Sequence, residues 1–320
     1  MKGLWNATAV TEFILLGFPS NQRFQNFLFL IFLISYLLTV TGNLVIITVI
    51  RVDLHLHRPM YFFLSNFSFM QICYVTVTVP KLLIGFLVRI NRISISACFS
   101  QCYFFFFLGG IENFLLAIMA YDRYVAICHP LRYNAIMTPK LCWSLTCGCW
   151  LGIFLGSLLP VIFLARLSFC GPNIINHYFC DVSPLLKLSC SDTSLLKSNF
   201  FSLMWVIVFS CLLFTLVSYI NIICAIMKIP STVGRQKVFS TCGSHLTVVI
   251  IYFGAVIFMY VRPKDSYAFE EDKLISVFYS ILTPLLNPFI YCLRNKEVKD
   301  AVQKIIQARK FIPGLSTQYK

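Results

Sequence analysis

The sequence predicts an all-α membrane protein: a seven-transmembrane helix bundle with a short amphipathic cytoplasmic helix after it. Two observations carry this. Seven long stretches lack Asp, Glu, Lys and Arg, apart from Glu112 in the third. Residues are 58% hydrophobic and only 12% charged, with mean hydropathy +0.80, whereas soluble domains carry about 25% charged residues. A bilayer core about 30 Å thick is crossed by roughly 20 apolar residues in helical form. Inside hydrocarbon the backbone must pair within its own segment, which makes each stretch a helix.

The elements follow in order. Residues 1–23 are an N-terminal segment, expected outside. Asn6-Ala7-Thr8 in it fits a glycosylation acceptor. A second such pattern, Asn66-Phe67-Ser68, falls within a span and out of an enzyme's reach. The spans are expected at about 24–50, 59–80, 93–121, 141–165, 198–227, 238–261 and 274–293, and together form one domain over 24–293. No basic region with a short apolar stretch and cleavage site opens the chain, so the first span is expected to serve as its own insertion signal. Seven spans place the two ends on opposite sides. With the N-terminus outside, cytoplasmic segments hold 15 Lys/Arg and outer ones 11, while acids number four inside and seven outside. Lys/Arg excess marks the cytoplasmic face. The net charge of +14 is therefore read as belonging to the membrane topology, and no nucleic-acid partner is expected.

The connections are short except for residues 166–197. This loop carries Gly171-Pro172, Pro184 and three cysteines at ten-residue steps. A loop this long in a compact bundle is usually functional, and pinned to the bundle it would form a lid over the outer mouth. Of 14 cysteines, Cys98, Cys170, Cys180 and Cys190 fall on the outer, oxidising side. Four cysteines allow three pairings. Residues 294–320 form the cytoplasmic tail. Apolar positions 298, 301, 302, 305 and 306 repeat there at helical spacing among lysines, which reads as an amphipathic helix on the inner lipid surface.

Several functions are disfavoured. Every Asp lies outside the spans, so an intramembrane aspartyl protease lacks its pair. His177 and Cys180 are the only candidate metal ligands at close spacing, and a disulfide is the better use of Cys180; no metal and no cofactor are expected. The last span has no Lys for a retinal Schiff base. A seven-helix transporter or channel would show paired intramembrane charges or repeated halves.

The residues that stand out are Gly42-Asn43, Leu56-His-Arg-Pro-Met-Tyr-Phe-Phe-Leu64, and the run from Met119 to Tyr133 that contains Asp122-Arg123-Tyr124. With them go Ser218-Tyr219, Lys237-Val-Phe-Ser-Thr-Cys-Gly-Ser-His-Leu246 and Pro284-Leu-Leu-Asn287-Pro288-Phe-Ile-Tyr291. In type, position and order they resemble the odorant receptors, within the rhodopsin-like class of G-protein-coupled receptors, over nearly the whole chain. The resemblance implies a plasma-membrane receptor, not an enzyme. It would bind a small volatile odorant and activate a stimulatory, olfactory-type G protein to raise cAMP. The same machinery answering an endogenous metabolite outside olfactory tissue is the alternative.

Residue roles follow from the resemblance. Arg123, held by Asp122 at rest, would engage Tyr219 and the G protein when active. Asn287-Pro288 would make a hinge that lets Tyr291 swing towards both, since proline removes a helical hydrogen bond. Lys237, Ser240 and Thr241 would present polar groups where the partner docks. The implied disulfides are Cys98–Cys180 and Cys170–Cys190. The ligand would lie among Phe105, Phe106 and Gly109 of the third span, Leu203, Met204 and Ile207 of the fifth, and Phe253, Val256, Ile257 and Tyr260 of the sixth. Tyr260, or Ser276 or Ser280, would supply a polar hook. Phe105 stands where amine receptors carry an Asp, which suits small, neutral, mainly apolar ligands. Two departures from the family pattern stand out. Gln71 replaces an acid, so Glu112 is the single carboxylate where a sodium site has two. Tyr252-Phe253-Gly254 replaces Phe-Tyr-Gly, which moves a hydroxyl to a different face of the sixth span.

Overall fold

The structure, a computed structural model, describes residues 10–18, 21–170, 173–228, 230–261 and 269–310. It contains a strand β1 (Glu12–Leu15), then α1 (Gln22–Val52), α2 (Pro59–Leu87), β2 (Asn91–Ser94), α3 (Ile95–Cys128), α4 (Pro139–Ala165) and β3 (Ile174–Ile175). Next come α5 (Ser194–Met227) and α6 (Thr232–Val261). The last span, α7, is a helix Phe269–Val277, a π-helical stretch Phe278–Leu282 and a helix Thr283–Arg294; α8 (Lys296–Lys310) follows. Asn6, expected to carry glycan, lies outside the described residues.

Capping fixes where helices begin. Asn21 accepts from the Phe24 N–H, Ser94 from Ala97 and Thr138 from Leu141. Pro59 and Pro139 stand in the first turns of α2 and α4, where a missing N–H is harmless. Among the described residues six helices are long and apolar enough to cross a membrane, and α6 adds an apolar stretch at Cys242–Phe258. Several overrun the charge-free stretches: α2 continues past Lys81 to Leu87 and α3 through Asp122 and Arg123 to Cys128.

α3 is the axis of the bundle. It packs against α2, α4, α5 and α6 and buries side chains along its whole length. α1, α4 and α5 instead leave Leu, Ile, Val and Phe exposed over much of their surfaces. Apolar surface on that scale is alien to a water-soluble monomer and is the face that lipid covers. Tight approach needs small residues at two crossings. A Cβ on Gly42 would lie 3.0 Å from Pro288, and one on Gly110 only 2.6 Å from the Ile153 side chain.

A small sheet closes the end that carries the disulfides. β1 pairs antiparallel with β2 and parallel with β3. Phe13 and Leu15 are buried while their neighbours face out, the period-2 pattern of a strand with one covered face. Arg92 bonds Glu12 at 2.6 Å and Lys81 donates to the Arg92 carbonyl. No strand was expected from the sequence, because four residues of alternation are too few to stand out.

Candidate ligand cavity and coupling end

At the disulfide end, Cys98 in the first turn of α3 is bonded to Cys180, and Cys170 to Cys190. The first bond sets the residues after Cys180 against α3. Two hydrogen bonds continue the attachment: the Cys180 N–H donates to Gln101 Oε1 at 3.0 Å, and Gln101 Nε2 donates to the Val77 carbonyl at 2.8 Å. The loop is also fastened to α7. Tyr178 and Ser280 share a hydrogen bond of 2.8 Å, and His177 Nε2 lies 3.3 Å from Ser276 Oγ. Ser276 and Ser280 thus hold the lid. His177 is buried, and its Nδ1 takes the Phe179 N–H. Burial, assisted by the Lys273 charge, pushes its pKa down to about 3, so the ring is neutral. With Cys180 in a disulfide and both His177 nitrogens engaged, neither is left to bind a metal.

Beneath this lid is a cavity of about 80 Å³. Phe105, Phe106 and Gly109 of α3, Met204 of α5 and Val256 of α6 line it, all five singled out by the sequence. Rings pack densely around it: Phe105 lies 4.6 Å from Phe179 and 5.1 Å from Tyr74, and Phe106 lies 5.0 Å from Phe200. The other five expected residues are placed otherwise. Leu203 is 47% exposed, because its side of α5 is turned out of the bundle. Ile207 and Ile257 are half-buried and Phe253 is buried, yet none of the three lines the cavity. The Tyr260 side chain lies outside the described residues.

Sequence reasoning missed several walls. Tyr74, Asn113, Val208 and Tyr279 face the cavity, as do Asp181 to Ser183 of the loop. A usable signal existed for the loop residues, since anything next to a cysteine bonded to Cys98 must sit at the mouth. Tyr252, noted for its displaced hydroxyl, also lines the cavity. Its hydroxyl accepts from Asn113 Nδ2 at 2.8 Å and donates to the Gly109 carbonyl at 3.3 Å. The exchanged Tyr-Phe order therefore turns a phenol onto α3. Further in, Gln71 Nε2 donates to Glu112 Oε1 at 2.7 Å, so an amide occupies the side of the carboxylate where a second acid would stand.

At the opposite end, Arg123 borders a small cavity of about 10 Å³ with Met119, His245, Tyr291 and Asn295. Among the described residues no ion pair joins Arg123 to Asp122. Asp122 instead accepts a hydrogen bond from Tyr133 at 2.8 Å, which corrects the expected clasp. Adjacent helical residues do not face each other, so Asp122 turns to the one-turn helix Tyr133–Ile136 that follows α3, while Arg123 turns to the bundle centre. Burial and the Asp122 carboxylate push the Tyr133 phenol upward. Tyr219 bonds His245 Nδ1 at 2.6 Å. Asn287 and Tyr291 are buried, and Pro288 packs on Gly42. Tyr124 turns away and meets His129 at 3.1 Å. The side chains of Lys237, Ser240 and Thr241 lie outside the described residues. A contact absent from the sequence reading ties α8 in place: Tyr61 donates to Glu297 at 2.8 Å, beside an Arg58–Glu297 pair at 3.5 Å.

The class is that of the seven-helix receptors. Squid rhodopsin, known from a crystal structure, superposes with TM-score 0.73 over 95% of this chain and 85% of its own, at 15% sequence identity, and so shares the fold. The family is set by sequence. The profile described as olfactory receptor matches residues 32–309. Olfactory receptor 6B9 of Mus musculus is 52% identical over 301 residues, covering 94% of this chain and 95% of the relative. Olfactory receptor 6Y1 of Homo sapiens is 51% identical over 304 residues, covering 95% and 94%. The chain belongs to the olfactory receptor family. It is a multi-pass membrane receptor and not an enzyme.

Proposed function

We propose that this receptor sits in the plasma membrane with its N-terminus outside. It binds a small, neutral, mainly apolar odorant in the lidded cavity and activates a stimulatory, olfactory-type G protein, raising cAMP. The carrying observation is that α3 joins both sites: Phe105, Phe106 and Gly109 line the cavity near one end, and Arg123 faces the bundle centre near the other. A ligand that wedges α3 against α5 and α6 biases a packed, bistable bundle. Arg123, Tyr219 and Tyr291 are then the groups that rearrange around the partner, with Asn287 and Pro288 as the hinge and Asp122 and Tyr124 setting the loop geometry. The aromatic lining favours neutral ligands, since a charged ligand would shed its water against rings that return little. The test is an odorant panel read by cAMP in cells that display the chain. Agonists should be neutral and raise cAMP. Ligand-evoked current without cAMP, in cells lacking cyclic-nucleotide-gated channels, would sink the reading.

A further inference from the structure

We infer that the cavity selects ligands that donate a hydrogen bond, alcohols and phenols ahead of matched ethers and aldehydes, through Asn113 Oδ1 at its inner end. This rests on the reading of the cavity as the ligand site, and it deepens that reading from a neutral ligand to a neutral donor.

The argument is a count of hydrogens. Asn113 has two amide hydrogens. One goes to the Gly109 carbonyl at 2.9 Å and the other to the Tyr252 oxygen at 2.8 Å. Tyr252 has one hydroxyl hydrogen, and it goes to the same Gly109 carbonyl at 3.3 Å. Every hydrogen of this cluster is committed. The orientation of the Asn113 amide is not arbitrary. Flipping it would set Oδ1 against the Gly109 carbonyl, two acceptors face to face. The remaining valence of the asparagine is Oδ1. It is buried, closed off from the cavity as it stands, and has no hydrogen-bond partner among the described residues, so a ligand reaches it as the inner wall parts to admit one. Asn113 as a whole is 3% exposed and lines the cavity. Among the described lining residues, this is the one buried side-chain polar atom left unpaired.

The rest of the wall does not offset it. Asp181, the other lining group of fixed sense, is also an acceptor, and one of its oxygens already takes the Val182 N–H at 2.7 Å. The hydroxyls of Tyr74, Tyr279 and Ser183 can donate or accept and so do not discriminate. No Lys, Arg, His or Trp is among the described lining residues. An alcohol that fills the inner end supplies the hydrogen that Oδ1 lacks. An ether or aldehyde of the same shape brings another lone pair towards it. Leaving a buried acceptor unmade is the costly half of hydrogen-bond energetics, and a site built around one polar contact rejects the analogue that lacks it.

The experiment uses matched triplets, each an alcohol, its methyl ether and the corresponding aldehyde, on small straight-chain, cyclic and aromatic skeletons. Cells displaying the full chain are read by cAMP, with surface receptor quantified. Within responding triplets the alcohol should be more potent by about tenfold or more. Two variants localise the effect. Asn113→Leu should bring the ratio close to one by weakening the alcohol alone. Tyr252→Phe frees one Asn113 hydrogen, so the aldehyde should gain on the alcohol, a change that loss of packing does not produce. Equal potency within triplets, or a ratio that survives Asn113→Leu at normal surface level, overturns the inference and leaves the receptor reading intact. A ranking led by protonated amines also overturns it. Silence across every skeleton at normal surface level overturns the receptor reading itself, and the inference with it.

Discussion

Arg123 faces the bundle centre beside Tyr291 and His245, unpaired with its sequence neighbour. A half-buried charge turned towards the centre at the end of an apolar bundle is costly and is kept for function. Arg123→Ala should therefore reach the cell surface in normal amounts yet lose agonist-evoked cAMP; normal signalling at normal surface level would remove Arg123 from the coupling machinery. His177 supports a different measurement. Its folded pKa is about 3 against an ordinary 6.5, so the unfolded loop takes up a proton first as pH falls. Stability is complete above about pH 6.5 and is lost progressively down to about 3, reaching roughly 2 kcal/mol at about pH 5. Thermal unfolding of purified receptor should show that slope in the wild type and a flatter one in His177→Gln; identical slopes would count against the buried neutral ring. At this scale the sequence revealed which residues matter better than what they touch. Asp122 and Arg123 are named by one short motif, but a helix turns about 100° per residue, so adjacency in sequence separated them in space.

Among the elements, the α3–α4 crossing depends on a single missing methyl. A Cβ on Gly110 would lie 2.6 Å from Ile153 Cγ2, closer than packed atoms tolerate. Gly110→Ala should cost about 1–3 kcal/mol through overpacking. Adding Ile153→Ala should recover part of the loss, and a double variant no better than Gly110→Ala would show that the helices do not meet there as described. α8 is held differently, by Glu297 between Tyr61 and Arg58. Tyr61→Phe should loosen α8, seen as faster amide exchange in its first turns, with the seven spans unchanged. The spans were legible because hydropathy is summed over many residues and tolerates local error. The sheet was not, because β1, β2 and β3 lie far apart in the chain and each is only two to four residues long. The position of α5 was legible but its rotation was not. Its surface is apolar nearly all round, so the pattern could not say that Leu203 points out while Met204 points in.

For the molecule as a whole, the two disulfides join residues 82 and 20 positions apart. Chain-entropy arguments give about 4–5 kcal/mol for the longer loop and about 3 for the shorter. Cys170→Ser should therefore weaken the lid and lower agonist potency while surface receptor persists, whereas Cys98→Ser should abolish surface delivery. Equal damage from both would mean that the shorter bond also holds the bundle. The family was readable in the sequence because its motifs are long and ordered. The cavity was only half readable, since the lid comes from a segment whose course is set by covalent and hydrogen bonds rather than by periodicity. The small sheet has a consequence in time. β1 is synthesised first, yet its partners are residues 91–94 and 174–175. At about 5–20 residues per second the chain takes roughly 10–30 s to travel from β1 to β3. Through that interval Phe13 and Leu15 wait uncovered while four helices are laid into the membrane. A nascent chain in that condition is a client for chaperones, and its export from the site of synthesis is gated by when the last partner strand arrives rather than by when the first helix inserts.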